Sequence, residues 1–176
     1  MYDRETESLW SQIARRAVTG PLRGKELRQI PLLHTTWERW REDHPRGFVL
    51  SRKTGHHRDY DTNPYLSYGR NARVMFPVRH EDGRLGTKDL VLGIERARGA
   101  KAYPFARLAG EPSPIRDRIG GEELFVYFDR DSETAFATDL AGRELPTTVA
   151  YWFAWSAFHP GTELWNERAG PQTGEP

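Results

Sequence analysis

The hydrophobic pattern of the chain predicts a series of short strands. Leu124–Phe128 alternates as a half-buried strand does. Asp89–Ile94 is apolar and continuous, and Ala100–Phe105 is expected to pair back on it across an Arg-Gly turn. Pro104 then lies at the edge or the end of that strand, because proline cannot donate to a ladder. Further strands are predicted at Leu27–Leu33, Phe48–Ser51 and Arg73–Val78, the last joined to Asp89–Ile94 around Glu81–Arg84, and a strand or helix at Leu9–Ala17.

Two short helices are predicted from a pattern that occurs twice: Trp, two residues, Trp, three residues, His-Pro. The first helix begins at a capping box with Thr35 as N-cap and Glu38 three residues later. It ends at His44, because the following proline disfavours helical backbone there. The second helix spans about Tyr151–Phe158. Because positions i, i+3 and i+7 share a helix face, each Trp pair lies with its His, and these residues are Trp37, Trp40 and His44, then Trp152, Trp155 and His159.

The similarity between the two copies extends upstream, which predicts an internal duplication. Asp3–Trp10 aligns with Asp129–Phe136, and a Leu-x-Gly-basic-Glu-Leu block follows in both copies. We therefore predict repeats over about residues 2–45 and 128–160, related by a pseudo-twofold axis, with both Trp pairs packed in the core.

The pattern as a whole predicts a β-rich α+β fold with antiparallel sheets and two short Trp-rich helices. A single domain is expected over residues 1–165, followed by a disordered tail over residues 166–176 that is rich in Gly, Pro and Glu. A strand-rich stretch at about residues 72–127 precedes the second repeat, and nothing precedes the first. Either the first repeat never had such strands, or the chain starts inside a longer, truncated domain. Missing strands would leave an exposed sheet edge that favours self-association.

Composition narrows the class of protein. Lys and Arg number 26 against 25 Asp and Glu, and the opposite charges are interleaved, which argues against a nucleic-acid surface. The longest apolar run, Val149–Phe158, is far shorter than the roughly 20 residues of a membrane span. Cysteine is absent, which excludes a disulfide, a thiolate zinc site and a cysteine nucleophile within this sequence.

Several spaced blocks carry a family resemblance. They are Met1–Trp10, Thr35–Trp37 with His44 and Pro45, Val49–Ser51, Thr54 and Gly55, Arg58–Tyr60, Asn63–Tyr65, Lys101–Pro104 and Trp152–Pro160. On these residues the chain resembles the domain-of-unknown-function 3179 family over almost its whole length. The resemblance implies a bacterial or archaeal protein that is exported or membrane-tethered, with redox chemistry at an upstream Cys-x-x-Cys-like or selenocysteine motif. This sequence lacks that motif, which puts a redox role of this chain in doubt.

Two sets of histidines are candidates for metal or ligand chemistry. His44 and His159 would serve as metal ligands or a ligand clamp if the duplication brings them together. The simpler interpretation is that each caps the last carbonyls of its helix, where the dipole favours a cation. The loop from Gly55 to Gly69 is the other candidate, either as a binding and acid–base site or as a solvated loop pinned by Arg58 and Asp59. Its residues of interest are His56, His57, Arg58, Asp59, Tyr60 and Tyr65.

Two acidic turns have alternating carboxylates of the kind that bind calcium. They contain Asp3, Glu5 and Glu7, then Asp129, Asp131 and Glu133. Arg4 and Arg130 accompany them, so salt bridges within each turn are the favoured interpretation. No serine lies in the sequence context of a hydrolase nucleophile.

The sequence thus predicts a non-catalytic binding or structural module without a cofactor. No pattern in it indicates the partner. One alternative is the C-terminal part of an extracytoplasmic thiol or selenol redox protein whose reactive residue lies upstream. A weaker alternative is a histidine-based metal-binding protein. The resemblance places the chain outside the cytoplasm, whereas the acidic, polar start of the sequence is no signal peptide and favours the cytoplasm if this is the full product.

Overall fold

Strands in three small sheets carry most of the architecture. The computed structural model describes residues 1–63, 65–69, 71–75 and 77–166. The N-terminal sheet contains β1 (Tyr2–Asp3), β2 (Ser8–Ser11) and β3 (Arg16–Thr19), paired antiparallel in that order. The strand or helix predicted at Leu9–Ala17 is therefore two strands separated by a turn.

The central sheet has the order β10-β5-β4-β9. Its strands are β4 (Leu90–Arg96), β5 (Gly99–Pro104), β9 (Thr148–Tyr151) and β10 (Glu163–Leu164). β4 and β5 form an antiparallel hairpin, β9 pairs antiparallel with β4, and β10 pairs parallel with β5. Elements distant in sequence therefore close both edges of the hairpin.

The third sheet is the antiparallel meander β6 (Ile115–Ile119), β7 (Glu122–Asp129) and β8 (Thr134–Thr138). It packs on one face of the central sheet, because buried side chains of both belong to one apolar cluster. Tyr103 lies in this interface and donates a hydrogen bond from its hydroxyl to Asp117 at 2.8 Å. Burial, and then the neighbouring Asp117 charge, raises the pKa of Tyr103 far above its usual value.

In the part of the chain that the structure describes, four short helices connect or cover the sheets. They are α1 (Trp37–Asp43), α2 (Leu66–Gly69), α3 (Phe105–Leu108) and α4 (Trp152–Phe158). α4 covers the face of the central sheet opposite the meander, where its two tryptophans join a second apolar cluster. The prediction of a β-rich α+β fold with antiparallel sheets and two short Trp-rich helices is confirmed.

Several predicted elements are confirmed in detail. All of Asp89–Ile94 except Asp89 lies in β4, all of Ala100–Phe105 except Phe105 pairs back on it as β5, and Leu124–Phe128 lies within β7 with alternating burial. Pro104 is the last residue of β5, where its missing amide costs no ladder bond. The second Trp helix begins one residue later than predicted.

Three predicted strands are wrong. None of the described residues of Leu27–Leu33, Phe48–Ser51 or Arg73–Val78 is in a strand, and Phe76 lies outside the described residues. Strand propensity expresses how a side chain fits a pleated, half-buried surface. Within the described residues these segments have no neighbouring strand to supply that surface, and their side chains are largely exposed.

The two acidic turns are stabilised by their own backbone. Asp3 and Asp129 each accept a hydrogen bond from the amide two residues further on, at 3.0 Å and 2.9 Å. That bond is the main reason why the pKa of Asp129 lies below its usual range. The favoured interpretation of internal salt bridges is wrong, because neither Arg4 nor Arg130 forms an ion pair within the described part of the chain.

Two further predictions can be compared with the described residues only. The disordered tail was predicted for residues 166–176, of which all but Asn166 lie outside the described residues. Among the described residues, no helix combines the length and the apolar character needed to cross a membrane. The internal duplication stays a prediction.

Candidate functional site

The first Trp pair lies on α1, whose N-cap is Thr36. The Thr36 hydroxyl accepts a hydrogen bond from the Arg39 amide at 3.3 Å. The prediction of Thr35 as N-cap is wrong by one residue, because the Thr35 hydroxyl accepts instead from Thr134 at 2.7 Å. This second bond ties the start of α1 to the meander. The last residue of the helix is Asp43, one residue before the predicted end at His44, which is the C-cap.

The two Trp helices have nearly identical ends. The residue before each helix is extended: Thr36 has φ −73° and ψ 156°, and Tyr151 has φ −70° and ψ 148°. The residues after them, His44 and His159, have φ and ψ of −127° and 63°, and of −129° and 66°. In each helix the His amide donates to the carbonyl of the second Trp, at 2.9 Å and 3.0 Å. The backbone of the two helices is therefore alike, and what differs is their surroundings.

The second Trp pair is buried under α4. Trp152 is 1% exposed and donates from Nε1 to the Asp82 carbonyl at 2.7 Å. Trp155 is equally enclosed and donates from Nε1 to the Thr162 hydroxyl at 2.9 Å. Its ring lies flat against Gly93 of β4, where a Cβ atom would come within 2.3 Å of the indole carbons. Only glycine allows this approach, and an isolated glycine in a predicted strand is the signal that could have found it.

The first Trp pair is not buried: Trp37 is exposed and Trp40 is partly buried. Trp37 is 54% exposed, and its ring stacks on that of Trp40 with centroids 5.2 Å apart and an angle of 20°. Trp40 folds over Gly47, where a Cβ atom would lie 2.3 Å from the indole. The prediction that both Trp pairs pack in the core is therefore wrong for this one. The tryptophans of α1 cover each other instead of a sheet.

Large apolar side chains extend this exposed region on both sides of α1. Phe48 is fully exposed at 100%, and its neighbours in the same segment are exposed as well. Large exposed apolar side chains that accumulate in one part of a chain are candidates for a binding surface. We call this group the exposed apolar surface, and it comprises Leu32, Leu33, Trp37, Phe48, Val49 and Leu50.

The two repeat histidines have different neighbours. His44 lies in a shallow, open recess beside Pro45 and Arg46, with its ring 5.1 Å from that of Trp40. His159 stacks on Trp155 with centroids 3.9 Å apart. A shared metal or ligand site between the two histidines stays a prediction. Each His does cap its helix through its backbone amide, although the side chains serve other contacts.

His159 belongs to a small charged cluster that the sequence did not suggest. Its Nε2 lies 4.0 Å from a Glu95 carboxylate oxygen, and Glu95 accepts a 2.8 Å hydrogen bond from Arg15 of the N-terminal sheet. Burial lowers the pKa of His159 below its usual value of 6.5, Arg15 adds to this effect, and Glu95 opposes it. The space among these groups is only about 10 Å³, too small for a substrate. The cluster therefore joins the two ends of the chain.

The loop from Gly55 to Gly69 is open to solvent. The side chains of His56, His57, Arg58, Asp59, Tyr60 and Tyr65 are all exposed. The Asp59 carboxylate accepts bonds from the Asp61 amide and the Thr62 hydroxyl, and the latter bond is the main cause that lowers its pKa. The Tyr60 hydroxyl lies 2.7 Å from that of Thr54. Asp59 thus stabilises its own turn, and a ligand role for the loop stays a prediction.

Among the described residues, no three His, Asp or Glu side chains converge as metal ligands would. A recess of about 380 Å³ beside Trp152 has two acidic residues in its lining, Glu81 and Asp82, and the Asp82 carboxylate is ion-paired. Arg84 engages that carboxylate at 2.7 Å and lowers the pKa of Asp82. An ion-paired carboxylate of this kind is a poor general base, because a base needs a pKa near the working pH.

A comparison with known families gives one match. The model of the family described as "Protein of unknown function (DUF3179)" matches residues 1–162 of the chain. No curated protein and no solved structure matches the chain.

Proposed function

Because the chain belongs to the DUF3179 family, whose description assigns no activity, we propose a function from its surfaces: a non-catalytic module that binds another polypeptide through the exposed apolar surface around α1. One observation carries the proposal. The first tryptophan of the Trp-x-x-Trp pattern is buried in α4 as Trp152 and 54% exposed in α1 as Trp37, on helices with the same end geometry. A partner that covers α1 would remove that difference.

The composition of the surface suits a protein partner. Tryptophan is enriched among the residues that dominate binding energy at protein interfaces. Trp37 and the fully exposed Phe48 both belong to this surface, and the charged side chains of Arg39 and Asp43 lie between them in the sequence, on α1. An apolar centre with a polar rim is the usual anatomy of such an interface.

The test is site-specific photo-cross-linking followed by reconstitution. A photoreactive amino acid replaces Phe48 in one preparation and Leu140 in a matched control. Leu140 is also a large apolar residue that is exposed, at 55%, but it lies outside the exposed apolar surface. Adducts formed in extracts of the source organism are identified by mass spectrometry. The identified protein is then purified and titrated into the wild-type chain by calorimetry.

We expect a discrete adduct at position 48 and none at 140, and saturable binding by the purified partner. Phe48→Asp should weaken that binding by at least about tenfold, because it puts a charge in the apolar centre. Equal adducts at both positions, or an adduct protein that does not bind after purification, would refute the proposal.

The loop from Gly55 to Gly69 offers a competing recognition surface. If the loop is the binding site, Tyr60→Ala abolishes binding of the purified partner and Phe48→Asp does not. If the exposed apolar surface is the site, the two variants show the reverse. The redox alternative needs a thiol or selenol from outside this sequence, because the sequence contains no cysteine.

A further inference from the structure

We propose that the occupant of the exposed apolar surface is a two-stranded antiparallel β-hairpin with the chemistry of β4–β5, supplied by polypeptide outside this sequence. The hairpin inserts between residues 33–36 and residues 48–49, beneath α1. This inference rests on the proposed function and names the kind of partner. It is drawn from how the second half of the chain holds its own hairpin.

In the second half, three consecutive elements clamp the β4–β5 hairpin. β9 pairs antiparallel with β4, with Tyr151 opposite Leu90. α4 follows and lies over the hairpin. β10 then pairs parallel with β5, with Leu164 opposite Ala102. We call β9, α4 and β10 together the second clamp (residues 148–164).

Residues 33–49 have the same layout, and we call them the first clamp. Taking the matched Trp and His positions as the alignment, Gly47 corresponds to Thr162. Their backbone contacts agree: the Gly47 amide donates to the His44 carbonyl at 2.8 Å, and the Thr162 amide to the His159 carbonyl at 2.9 Å. Continuing outward at the same offset, residues 33–36 correspond to β9 and residues 48–49 to β10. Neither segment is in a strand in the described structure.

Burial shows what the first clamp lacks. Leu164 is 5% exposed on its hairpin, whereas the corresponding Val49 is 64% exposed. Trp152 is buried, whereas Trp37 is mostly exposed. The positions that differ are those that contact the hairpin in the second half, so a hairpin is what would equalise them. Extended segments without a partner strand are also sites where a strand can add.

The chemistry of the partner follows from the second clamp. The hairpin face under α4 needs a glycine opposite the second tryptophan, as Gly93 is opposite Trp155. Around it lie small or branched apolar side chains, as Val91 and Ala102 do. The hairpin of a second copy of this chain does not fit, because its edges are already paired with β9 and β10 and its faces are covered by α4 and the meander.

The probe is a synthetic peptide of residues 88–106, closed into a hairpin by a disulfide between added terminal cysteines. Leu92, Ile94 and Tyr103 are replaced by threonine, since they face the meander and would be exposed in the peptide. Closure reduces the ordering cost that makes isolated hairpins marginal in water. The control peptide carries Gly93→Leu in addition, and circular dichroism checks that both peptides have the same hairpin content.

Calorimetric titration of the first peptide into the full chain should show saturable 1:1 binding. The Gly93→Leu peptide should bind at least about tenfold more weakly, because its side chain would collide with the indole of Trp40. On the protein side, Val49→Asp should cause a similar loss while leaving the fold intact, since Val49 is exposed in the free chain. Leu140→Asp is the matched control and should bind as the wild type does.

Three results would overturn the inference: no binding of a folded probe, equal binding of the Gly93→Leu peptide, or unchanged binding by Val49→Asp. A dimer of the chain that Val49→Asp dissociates would also overturn it, since a second copy would then be the occupant. An adduct at position 48 with no hairpin binding removes this inference and leaves the proposed binding function standing. Failure of both experiments removes both.

Discussion

Replacing corresponding tryptophans by alanine should give very unequal losses of stability. Trp152→Ala removes a side chain that is 1% exposed, contacts the central sheet and donates to the Asp82 carbonyl. Trp37→Ala removes a side chain at the corresponding helix position that is 54% exposed and stacks on the Trp40 ring of its own helix. The two substitutions delete the same atoms from helices with the same end geometry.

The magnitudes follow from burial. A buried tryptophan removes about 150–250 Å² from water, which at about 25 cal/mol per Å² is about 4–6 kcal/mol. Core Trp→Ala substitutions cost about 3–5 kcal/mol in practice, and we expect that range for Trp152→Ala. Trp37→Ala should cost at most about 1.5 kcal/mol, the upper value for one aromatic pair. For a chain of this size, Trp152→Ala should lower the Tm by about 6–20 °C and Trp37→Ala by less than about 6 °C.

Urea denaturation followed by far-ultraviolet circular dichroism measures both free energies of unfolding without relying on tryptophan emission. Tyr127→Ala, in a partly buried stacked aromatic pair on the meander, provides an intermediate reference. A loss for Trp37→Ala equal to that for Trp152→Ala would refute the reasoning. It would mean that the surface around α1 is buried in the free protein, and a dependence of stability on protein concentration would then identify self-association.

Two further outcomes are expected. Gly93→Ala should destabilise the chain by about 1–3 kcal/mol in the same urea assay, because its Cβ would overlap the Trp155 ring. Gly99→Ala in the same hairpin should be tolerated, because the nearest atom is 3.7 Å from the Cβ position. Equal losses of stability for the two variants would contradict the packing argument. Because the pKa of His159 is lowered in the folded state, the unfolded chain binds the proton more tightly, so stability should fall as the pH drops below about 6.5. His159→Gln should reduce this slope, and an unchanged slope from about pH 7.5 to 5 would exclude His159 as its source.

The sequence could predict the elements that local pattern determines. The clean alternation of Leu124–Phe128 and the continuous apolar run of Asp89–Ile94 each correspond to a strand. Both Trp helices lie within a residue of their predicted bounds, because the residue before a proline ends a helix for a local steric reason. The choice between Thr35 and Thr36 as N-cap was beyond a local pattern, since a contact with the distant Thr134 decides it.

The strands that failed did so for a non-local reason. Phe48–Ser51 is as apolar as a strand, yet in the described structure it has no strand beside it. The same distinction between local and non-local causes applies to the prediction of the candidate site. The repeated Trp spacing was readable, but the burial of Trp155 depends on Gly93 far away in sequence. The cluster of His159, Glu95 and Arg15 likewise joins three segments that are distant in sequence, so no local sequence motif predicts it.

The position of β10 has a consequence for how the protein is made. β5 has one edge paired with β4, and its other edge receives β10, which follows α4 much later in the chain. During synthesis the β4–β5 hairpin therefore leaves the ribosome with both outer edges open, and β9 and then β10 close them last. A nascent chain paused before Glu163 would present an unpaired strand edge to other nascent chains or chaperones.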